Sequence, residues 1–329
     1  MTSSEAARPS YSRRILWLGI FVVLAVGLYT AGWFYVAGKL VEVTRETTAR
    51  FGSRGIEAAC ENPVARGFPF RIGLYCDRVF YADPRAGVAA QGEGLRTAAQ
   101  VYNPFHVVGE LDVIRLDPRQ GLPIRVDAKD IRFSARLSSP MPRAASVVAR
   151  TVSVEEDAQS DAGVPHLVAD EAEAHMRTNA DDLDLAGRFS GVRAASGLLQ
   201  GGKLPPFSGT ADLTVKNGVT LLRDGAASLR GQSGTLRDLT ITDGAASVRL
   251  SGPFSIDEGG LLNGDFVLKV DNPEALKSTL TAAFPEQAQQ IATAMSGLSA
   301  LGDNPQLPLT VKDGKASLGF IPLGEIPPL

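Results

Sequence analysis

The sequence is poor in the residues that most often carry out chemistry. Among its 329 residues there are three histidines and two cysteines, and aromatic residues make up only 7%. It contains no Gly-x-Ser-x-Gly nucleophile elbow, no glycine-rich phosphate loop before a helix and no His-Glu-x-x-His metal motif. The sequence therefore predicts no enzymatic activity, no cofactor and no metal site.

Excess positive charge is also missing. The chain has 33 Lys and Arg against 36 Asp and Glu, a formal net charge of −3. A nucleic-acid partner usually requires a basic face, so the composition argues against one. The histidines leave one weaker alternative open, an envelope hydrolase built around His106 or around His166 and His175. Period-two spacing would place Glu171, Glu173 and His175 on one strand face, which we interpret as a solvated polar face.

The most prominent feature that is present is an uncharged run at residues 15–37, ILWLGIFVVLAVGLYTAGWFYVA. At ~1.5 Å per residue it would span roughly 34 Å as a helix, enough for a hydrocarbon core of ~30 Å. Arg13 and Arg14 precede the run, and basic residues beside a first span favour the cytoplasmic side. We predict an uncleaved single-pass anchor that leaves the bulk of the chain translocated. A cleaved signal peptide is the alternative, although its apolar region is shorter, at ~7–15 residues.

The helix is expected to continue beyond the membrane, because Leu40, Val43 and Phe51 recur at helical spacing. Near Cys60 the helical spacing of apolar residues ends and a period-two spacing begins. We divide the chain into a cytoplasmic tail (1–14), a transmembrane helix (15–37), a juxtamembrane helical stalk (38–58) and a periplasmic β-rich domain (59–329).

Cys60 and Cys76 lie 16 positions apart, and the predicted orientation would place both on the side of the membrane where thiols are oxidised. Two cysteines in such a compartment predict one disulfide. Two unrelated buried thiols are the alternative reading of the same pair.

Beyond the stalk, apolar and polar residues alternate with period two. This alternation predicts an antiparallel sheet with one apolar and one polar face. Near Lys129–Asp130 the apolar residues change from even-numbered to odd-numbered positions. We call this change a parity break, and it predicts a bulge or a tight turn there. The string LTVKNG at Leu213 returns as LTVKDG at Leu309, and Asn217–Gly218 reads as a hairpin turn. The sheet is therefore expected to grow by the addition of similar hairpins.

A helical pair is predicted near residues 273–301. Asn272 is expected to cap it and Pro273 to occupy its first helical position. The pair should pack on the sheet or close one end of it. The apolar face of the sheet is predicted to form a groove that holds an acyl chain or packs against these helices. The predicted groove residues are Ala211, Leu213, Val215, Ala246, Val248, Leu250, Phe266, Leu268 and Val270.

The fold class that follows is mainly β. We predict an N-terminal transmembrane helix followed by a large curved antiparallel β-sheet, either groove-like or sandwich-like, with the helical pair near its C-terminal end.

Three strings of the chain resemble the bitopic envelope proteins grouped as domain of unknown function 2125. They are RGFPFRIGLYC at Arg66–Cys76, AQVYNPF at Ala99–Phe105 and LGFIPLGEIPPL at Leu318–Leu329. The resemblance extends over nearly the whole chain after the anchor. It implies no activity and no functional residues, since none is established for that family.

A second resemblance is more distant. Leu-x-Gly-x-Phe strings at Leu185, Leu250 and Leu262, behind an anchor, are similar to AsmA-like proteins of the Gram-negative envelope. That resemblance implies a long curved sheet with an apolar groove, a role in lipid transport or outer-membrane assembly, and a location in the inner membrane of a Gram-negative bacterium. Fold analogy does not by itself determine function.

Two functions remain open at this point. The leading one is an inner-membrane-anchored periplasmic β-groove protein that binds or transfers lipid or assists envelope biogenesis. The alternative is a structural scaffold that docks an envelope partner through its sheet and has no ligand. An open apolar trough favours the first, and a sandwich packed on both sides favours the second.

Overall fold

The computed structural model describes residues 11–53, 55–84, 87–118, 124–139, 141–156, 166–195, 202–223, 229–300 and 302–329. Most of the predicted tail, residues 1–10, lies outside this part of the chain. The first helix, α1, runs without a break from Tyr11 to Ser53. It is the one described helix long and apolar enough to cross a membrane, which is consistent with membrane anchoring.

A single antiparallel sheet makes up most of the rest. The described strands are β1 Glu57–Cys60, β2 Val64–Arg66, β3 Arg71–Asp83, β4 Val88–Gln100, β5 Asn103–Pro118, β6 Ile124–Arg136, β7 Ala144–Glu156, β8 Leu167–Asn179, β9 Asp182–Ala194, β10 Phe207–Val215, β11 Ser233–Thr242, β12 Ser247–Ile256, β13 Leu262–Asp271, β14 Gln306–Lys312, β15 Lys315–Leu318 and β16 Ile321–Glu325. The other helices are α2 Gly218–Arg223, α3 Pro273–Ala283 and α4 Ala288–Ser299, with a 3₁₀ turn at Pro285–Gln287.

From β3 onward, each strand pairs with the next one along the chain, and β1 and β2 both pair with β3. The sheet does not close, because β1 and β16 remain its two edges. All pairings are antiparallel. The predicted mainly β fold with one large antiparallel sheet is therefore confirmed, and the described residues form no second sheet that would make a sandwich.

A line of irregular positions crosses the middle of the early strands. Apolar residues three positions apart, such as Leu111 and Ile114 on β5, belong to one packed cluster. Strict period-two alternation would put two such residues on opposite faces. On β6, Asp130 takes a φ of 48° and the pairing register shifts on both sides of Lys129. The predicted parity break is thus a bulge, and β6 continues through it.

The same irregularity recurs on neighbouring strands. Thr151 on β7 has a φ of 49°, and Gly94 on β4 and Gly191 on β9 have φ values of 68° and 61°. Bulges increase local twist and bend a strand. Register shifts accompany these positive φ values between β6 and β7. At corresponding positions of β4 and β9 the glycines take positive φ without a register shift, and the apolar face continues past the break instead of turning to the opposite side.

The two copies of the repeated hexapeptide end differently. At the second copy, Asp313–Gly314 makes a two-residue hairpin that joins β14 to β15. At the first copy, the predicted hairpin at Asn217–Gly218 is wrong, because α2 begins at Gly218 and β11 starts only at Ser233. The backbone N–H of Asn217 donates to the Asp182 carboxylate at 3.0 Å, so a contact with the β8–β9 turn redirects the chain.

The predicted helical pair near 273–301 is present as α3 and α4. Asn272 caps α3, and its side-chain oxygen accepts a hydrogen bond from the backbone N–H of Ala275 at 3.2 Å. Pro273 is the first helical residue, as expected. The two helices contact each other, and α3 lies against the end of the β11–β12 hairpin through a hydrogen bond from Thr279 to Asp243.

The first edge of the sheet is held to α1. The helix contacts β1, β2 and β3, and the Phe51 and Tyr81 rings meet edge to face at 6.4 Å. Cys60 on β1 and Cys76 on β3 are joined by a disulfide. The C-terminal part of α1 therefore covers an edge that would otherwise expose unpaired backbone groups. The predicted division into tail, span, stalk and domain stays a prediction.

Candidate functional site

The candidate site is the apolar face of the sheet, and strand pairing brings the predicted groove residues of β10, β12 and β13 together on it. Ala246, the ninth predicted residue, directly precedes β12 and is in no strand. Residues paired across neighbouring antiparallel strands project to the same side. Ala211 pairs with Leu239, Leu239 with Leu250, and Leu250 with Leu268. Val248 pairs with Val270 in the same way. These side chains therefore form one surface across β10 to β13.

Burial on this surface is uneven. Val270 is 2% exposed, while Val215, Ala246 and Phe266 are 6–7% exposed. The other five predicted residues, Ala211, Leu213, Val248, Leu250 and Leu268, are only half-buried. A core closed on both sides would bury such residues almost completely. The assignment of these nine residues to a ligand groove stays a prediction.

The same face extends across the earlier strands, which sequence patterning missed. Leu111 and Ile131 pair with each other and, with Ala128, form a buried cluster. Leu95, on β4, packs against this cluster. The bulges interrupt the alternation on these strands, so a period-two search finds two short segments of opposite parity instead of one apolar face.

Large side chains on this face lie over glycines of the adjacent strand. A Cβ at Gly109 would lie 2.3 Å from Cζ of Phe133, and one at Gly92 would lie within 3.0 Å of both Leu111 and Val79. Leu111 and Val79 come from strands on either side of Gly92. Their side chains therefore converge over β4, as they do on the inner side of a curved sheet.

The helix α3 covers one end of this face. Between α3 and the sheet is a small cavity of about 170 Å³. Its apolar lining comes from Leu276 and Leu280 on α3 and from Phe207, Ile241 and Val248 on the sheet. Ala283, near the end of α3, is completely buried. The helical pair therefore closes one end of the surface.

The opposite face of the sheet carries ion pairs between neighbouring strands. Arg150 on β7 lies 3.7 Å from Glu171 on β8, and Arg188 on β9 pairs with both Glu171 and Glu173. Most of these guanidinium groups are more than 40% exposed, so each pair contributes little stability by itself. Their main consequence is that one face is suited to water and the other is not.

Asp184 is the most enclosed charged residue in the described part of the chain, with a side chain that is 11% exposed. Its carboxylate accepts hydrogen bonds from Thr214 at 2.7 Å, from Arg177 at 3.0 Å and from Arg237 at 3.1 Å. The Thr214 hydroxyl and then the Arg177 guanidinium lower the pKa of Asp184 to about 2, against the opposing effect of burial. The group joins four strands, β8 to β11, on the charged face.

The histidines do not form a common site. His166 and His175 lie nine positions apart at β8, roughly 30 Å at 3.3 Å per residue, and His106 is on β5. His175 contacts Ser146 at 2.9 Å and Glu173 at 3.3 Å. The Arg188 guanidinium, and then His175, hold the pKa of Glu173 below its usual value.

Glu171 and Glu173 thus pair with arginines of the neighbouring strands. Within the described ranges, no three His, Cys, Asp or Glu side chains are grouped as metal ligands.

Comparison with known protein families gives a match. A family model described as "Uncharacterized protein conserved in bacteria", domain of unknown function 2125, matches residues 33–327. No curated protein matches the chain. The more distant resemblance to AsmA-like proteins is not among these findings and stays a prediction.

Proposed function

The chain belongs to the domain of unknown function 2125 family, and from this premise we propose that it is an inner-membrane-anchored periplasmic protein that binds or transfers lipid or assists envelope biogenesis. The ligand class is an acyl chain held on the apolar face of the sheet. In this proposal the N-terminus is in the cytoplasm of a Gram-negative cell, and β1–β16 and the helical pair lie in the periplasm.

One observation carries the proposal. The sheet is open, one of its faces is apolar from β4 to β13, and no second sheet covers that face within the described residues. A contiguous apolar face that remains partly accessible to solvent is a candidate binding site. The half-buried Leu250 and Leu268 mark the centre of its C-terminal part.

An acyl chain suits such a surface because its binding requires no directed polar contact. Burial of a methylene group contributes about 0.8 kcal/mol, so ten methylenes would contribute on the order of 8 kcal/mol before the cost of immobilising the chain. This energetics agrees with the absence of catalytic and phosphate-binding motifs in the sequence.

Native mass spectrometry of the full chain, purified from its own membranes, tests the proposal. We expect phospholipid to remain bound to the wild-type protein. Leu268→Asp places a charge on the apolar face and should reduce the bound lipid at least fivefold. Val267→Asp is the matched control, because Val267 is the preceding residue, is 48% exposed and projects to the other face.

Both variants must first retain the wild-type strand signal in circular dichroism. A folded wild-type protein without lipid would refute the proposal, and so would equal lipid loss in the two variants.

The orientation of the anchor is tested separately. A phosphatase fused after Leu329 should be active only if the sheet is in the periplasm, whereas a fluorescent protein at the same position should be dark if it is exported unfolded. The opposite pattern would place the sheet in the cytoplasm.

The alternative function is a scaffold that docks an envelope protein. Its support is the free edge β16 of the described sheet, where Ile321 and Leu323 are 63% and 55% exposed, together with Phe320 in the preceding turn, which is 105% exposed. Crosslinking from a photoreactive residue at position 321 in living cells should then yield one specific adduct. Under the lipid proposal, Leu323→Lys would leave bound phospholipid unchanged, and under the scaffold proposal it would abolish the adduct.

A further inference from the structure

Exposed apolar side chains gather at the end of the sheet where β3 and β5 begin and where β4 and β6 end. Phe70 is 70% exposed, Tyr102 77% and Phe105 68%. Together with neighbouring side chains they form a surface that we call the aromatic rim, defined as Phe68, Phe70, Val101, Tyr102, Phe105 and Leu137. Period-two patterning missed it, because these residues lie in turns and at strand ends.

Backbone hydrogen bonds make the rim continuous. The N–H of Val101 donates to the carbonyl of Phe70 at 3.0 Å, and the N–H of Leu137 donates to the carbonyl of Phe105 at 2.7 Å. Three separate connections of the sheet are thereby held side by side. The rim is a structured surface rather than a set of unrelated loop tips.

The rim begins against the apolar helix, inside the run that would cross the membrane. The indole N–H of Trp33 donates to the carbonyl of Arg71 at 2.9 Å, and the rings of Phe34 and Phe68 stack with centroids 5.8 Å apart. The Tyr29 hydroxyl donates to the carbonyl of Pro69. Trp33 lies four residues before the end of the apolar run at Ala37, which is ~6 Å along a helix.

This contact sets the depth of the rim. If residues 15–37 span the hydrocarbon core, the Phe68–Phe70 segment lies below the surface of the bilayer, because it is bonded to residues that do. Aromatic rings are favoured at the boundary between hydrocarbon and headgroups. The continuous backbone contacts then bring Tyr102 and Phe105 to the same boundary.

Charge supports the same partner. Segments 66–72, 98–107 and 135–145 contain no Asp or Glu, and four arginines, Arg66, Arg71, Arg136 and Arg143, flank the rim. Cations near a membrane surface are attracted to anionic headgroups. Farther from α1, the β8–β9 turn at the same end of the sheet carries Asp181 and Asp182 instead.

We propose that the aromatic rim inserts into the lipid leaflet that surrounds the sheet-proximal half of α1. The sheet is then fixed to the bilayer at two places, the helix and the rim, and its apolar face starts at the lipid boundary. The inference rests on the anchor assignment made above but not on lipid binding by the sheet.

The test uses the full chain in vesicles of three parts phosphatidylcholine to one part phosphatidylglycerol, with a trace of phosphatidylcholine that carries a diazirine on its acyl chain. After irradiation and digestion, mass spectrometry locates the labelled peptides. We expect label in the span and in the peptides that contain Phe70 and Tyr102. The Phe320 peptide is the matched control, because Phe320 is the most exposed aromatic residue outside α1 and is remote from it in the sheet order. Its label should be at least tenfold lower.

A second arm uses the double variant Tyr102→Asp, Phe105→Asp. Both side chains are largely exposed, so the variant should keep the wild-type melting midpoint. Labelling of the rim should fall at least fivefold, with labelling of the span unchanged.

Label in the span but not in the wild-type rim would overturn the inference and leave the anchor intact. No label in the span itself would overturn the anchor assignment first.

Discussion

Replacement of Asp184 by asparagine tests whether the charged face stabilises the sheet through one enclosed carboxylate. The Asp184→Asn substitution keeps the size of the side chain but removes the charge that Arg177 and Arg237 contact. Since Thr214 and these two arginines approach from β8, β10 and β11, the substitution weakens three strand connections at once.

The expected loss in the free energy of unfolding follows from the pKa shift of the Asp184 carboxylate. Its pKa falls from 3.8 to about 2 in the folded chain, and one pKa unit corresponds to about 1.4 kcal/mol. The upper bound is therefore about 2–3 kcal/mol. Arg177 is 69% exposed and Arg237 is 41% exposed, so solvent screening reduces the expected loss to about 1–2 kcal/mol.

The direction of the Asp184 pKa shift determines how the stability difference between wild type and variant changes with pH. A lowered folded-state pKa contributes stability above the unfolded pKa near 3.8, and this contribution is lost as the pH falls toward 2. The variant should therefore be less stable than wild type at pH 6, and the difference should nearly vanish at pH 2.

Urea unfolding of the full chain in detergent micelles, followed by the strand signal in circular dichroism, measures the difference at each pH. Other carboxylates on this face, such as Asp170 and Glu173, also have lowered pKa values, so only the difference between wild type and variant isolates Asp184. Asp212→Asn is the control. That carboxylate also contacts Arg237 but is 44% exposed, and its loss should cost less than about 0.5 kcal/mol. A difference between wild type and Asp184→Asn that is the same at pH 6 and pH 2 would refute the reasoning.

Three further predictions concern the backbone and the disulfide. Replacement of Cys60 and Cys76 by serine should lower the free energy of unfolding by about 3 kcal/mol, because the disulfide joins residues 16 positions apart. Reducing agent should have no further effect on this variant. A variant with the same urea midpoint as the oxidised wild type would contradict the prediction. Thr151→Gly should stabilise the chain by about 0.5–1 kcal/mol, since a β-branched residue is strained at a φ of 49°. Thr151→Val, which stays β-branched, should give no gain. Equal melting midpoints for the two variants would contradict this explanation. Asn272→Ala should cost about 1–2 kcal/mol, because it removes the side-chain cap and leaves alanine strained at a φ of 57°. Asn272→Gly should cost only a few tenths of a kcal/mol. A larger loss for the glycine variant than for the alanine variant would exclude this explanation.

Local pattern predicted much of the architecture because it depends on neighbouring residues alone. Alternation at Leu213 and Val215 identifies one face of a strand, since successive side chains point to opposite sides. The N-cap at Asn272 and the parity break at Asp130 are equally local signals, and both appear where the sequence places them. The same local reading failed at Asn217, where a carboxylate from a different turn binds the backbone.

The candidate site was less predictable. Because the apolar face crosses a line of bulges, the sequence indicates its C-terminal part but not its extension through Leu111 and Ile131. The separation of the charged face also depends on contacts between strands, as Asp184 and Arg237 are 53 positions apart.

By itself, the sequence determined an apolar span, a β-rich remainder and the face on which each regular strand segment places its side chains, because spacing along one chain segment is enough for each. Only the tertiary structure decided that the apolar face lacks a second sheet over it in the described residues, and that Phe70, Tyr102 and Phe105 form one rim beside Trp33. Those features depend on contacts between residues that are distant along the chain, and composition and period carry no information about which distant residues meet.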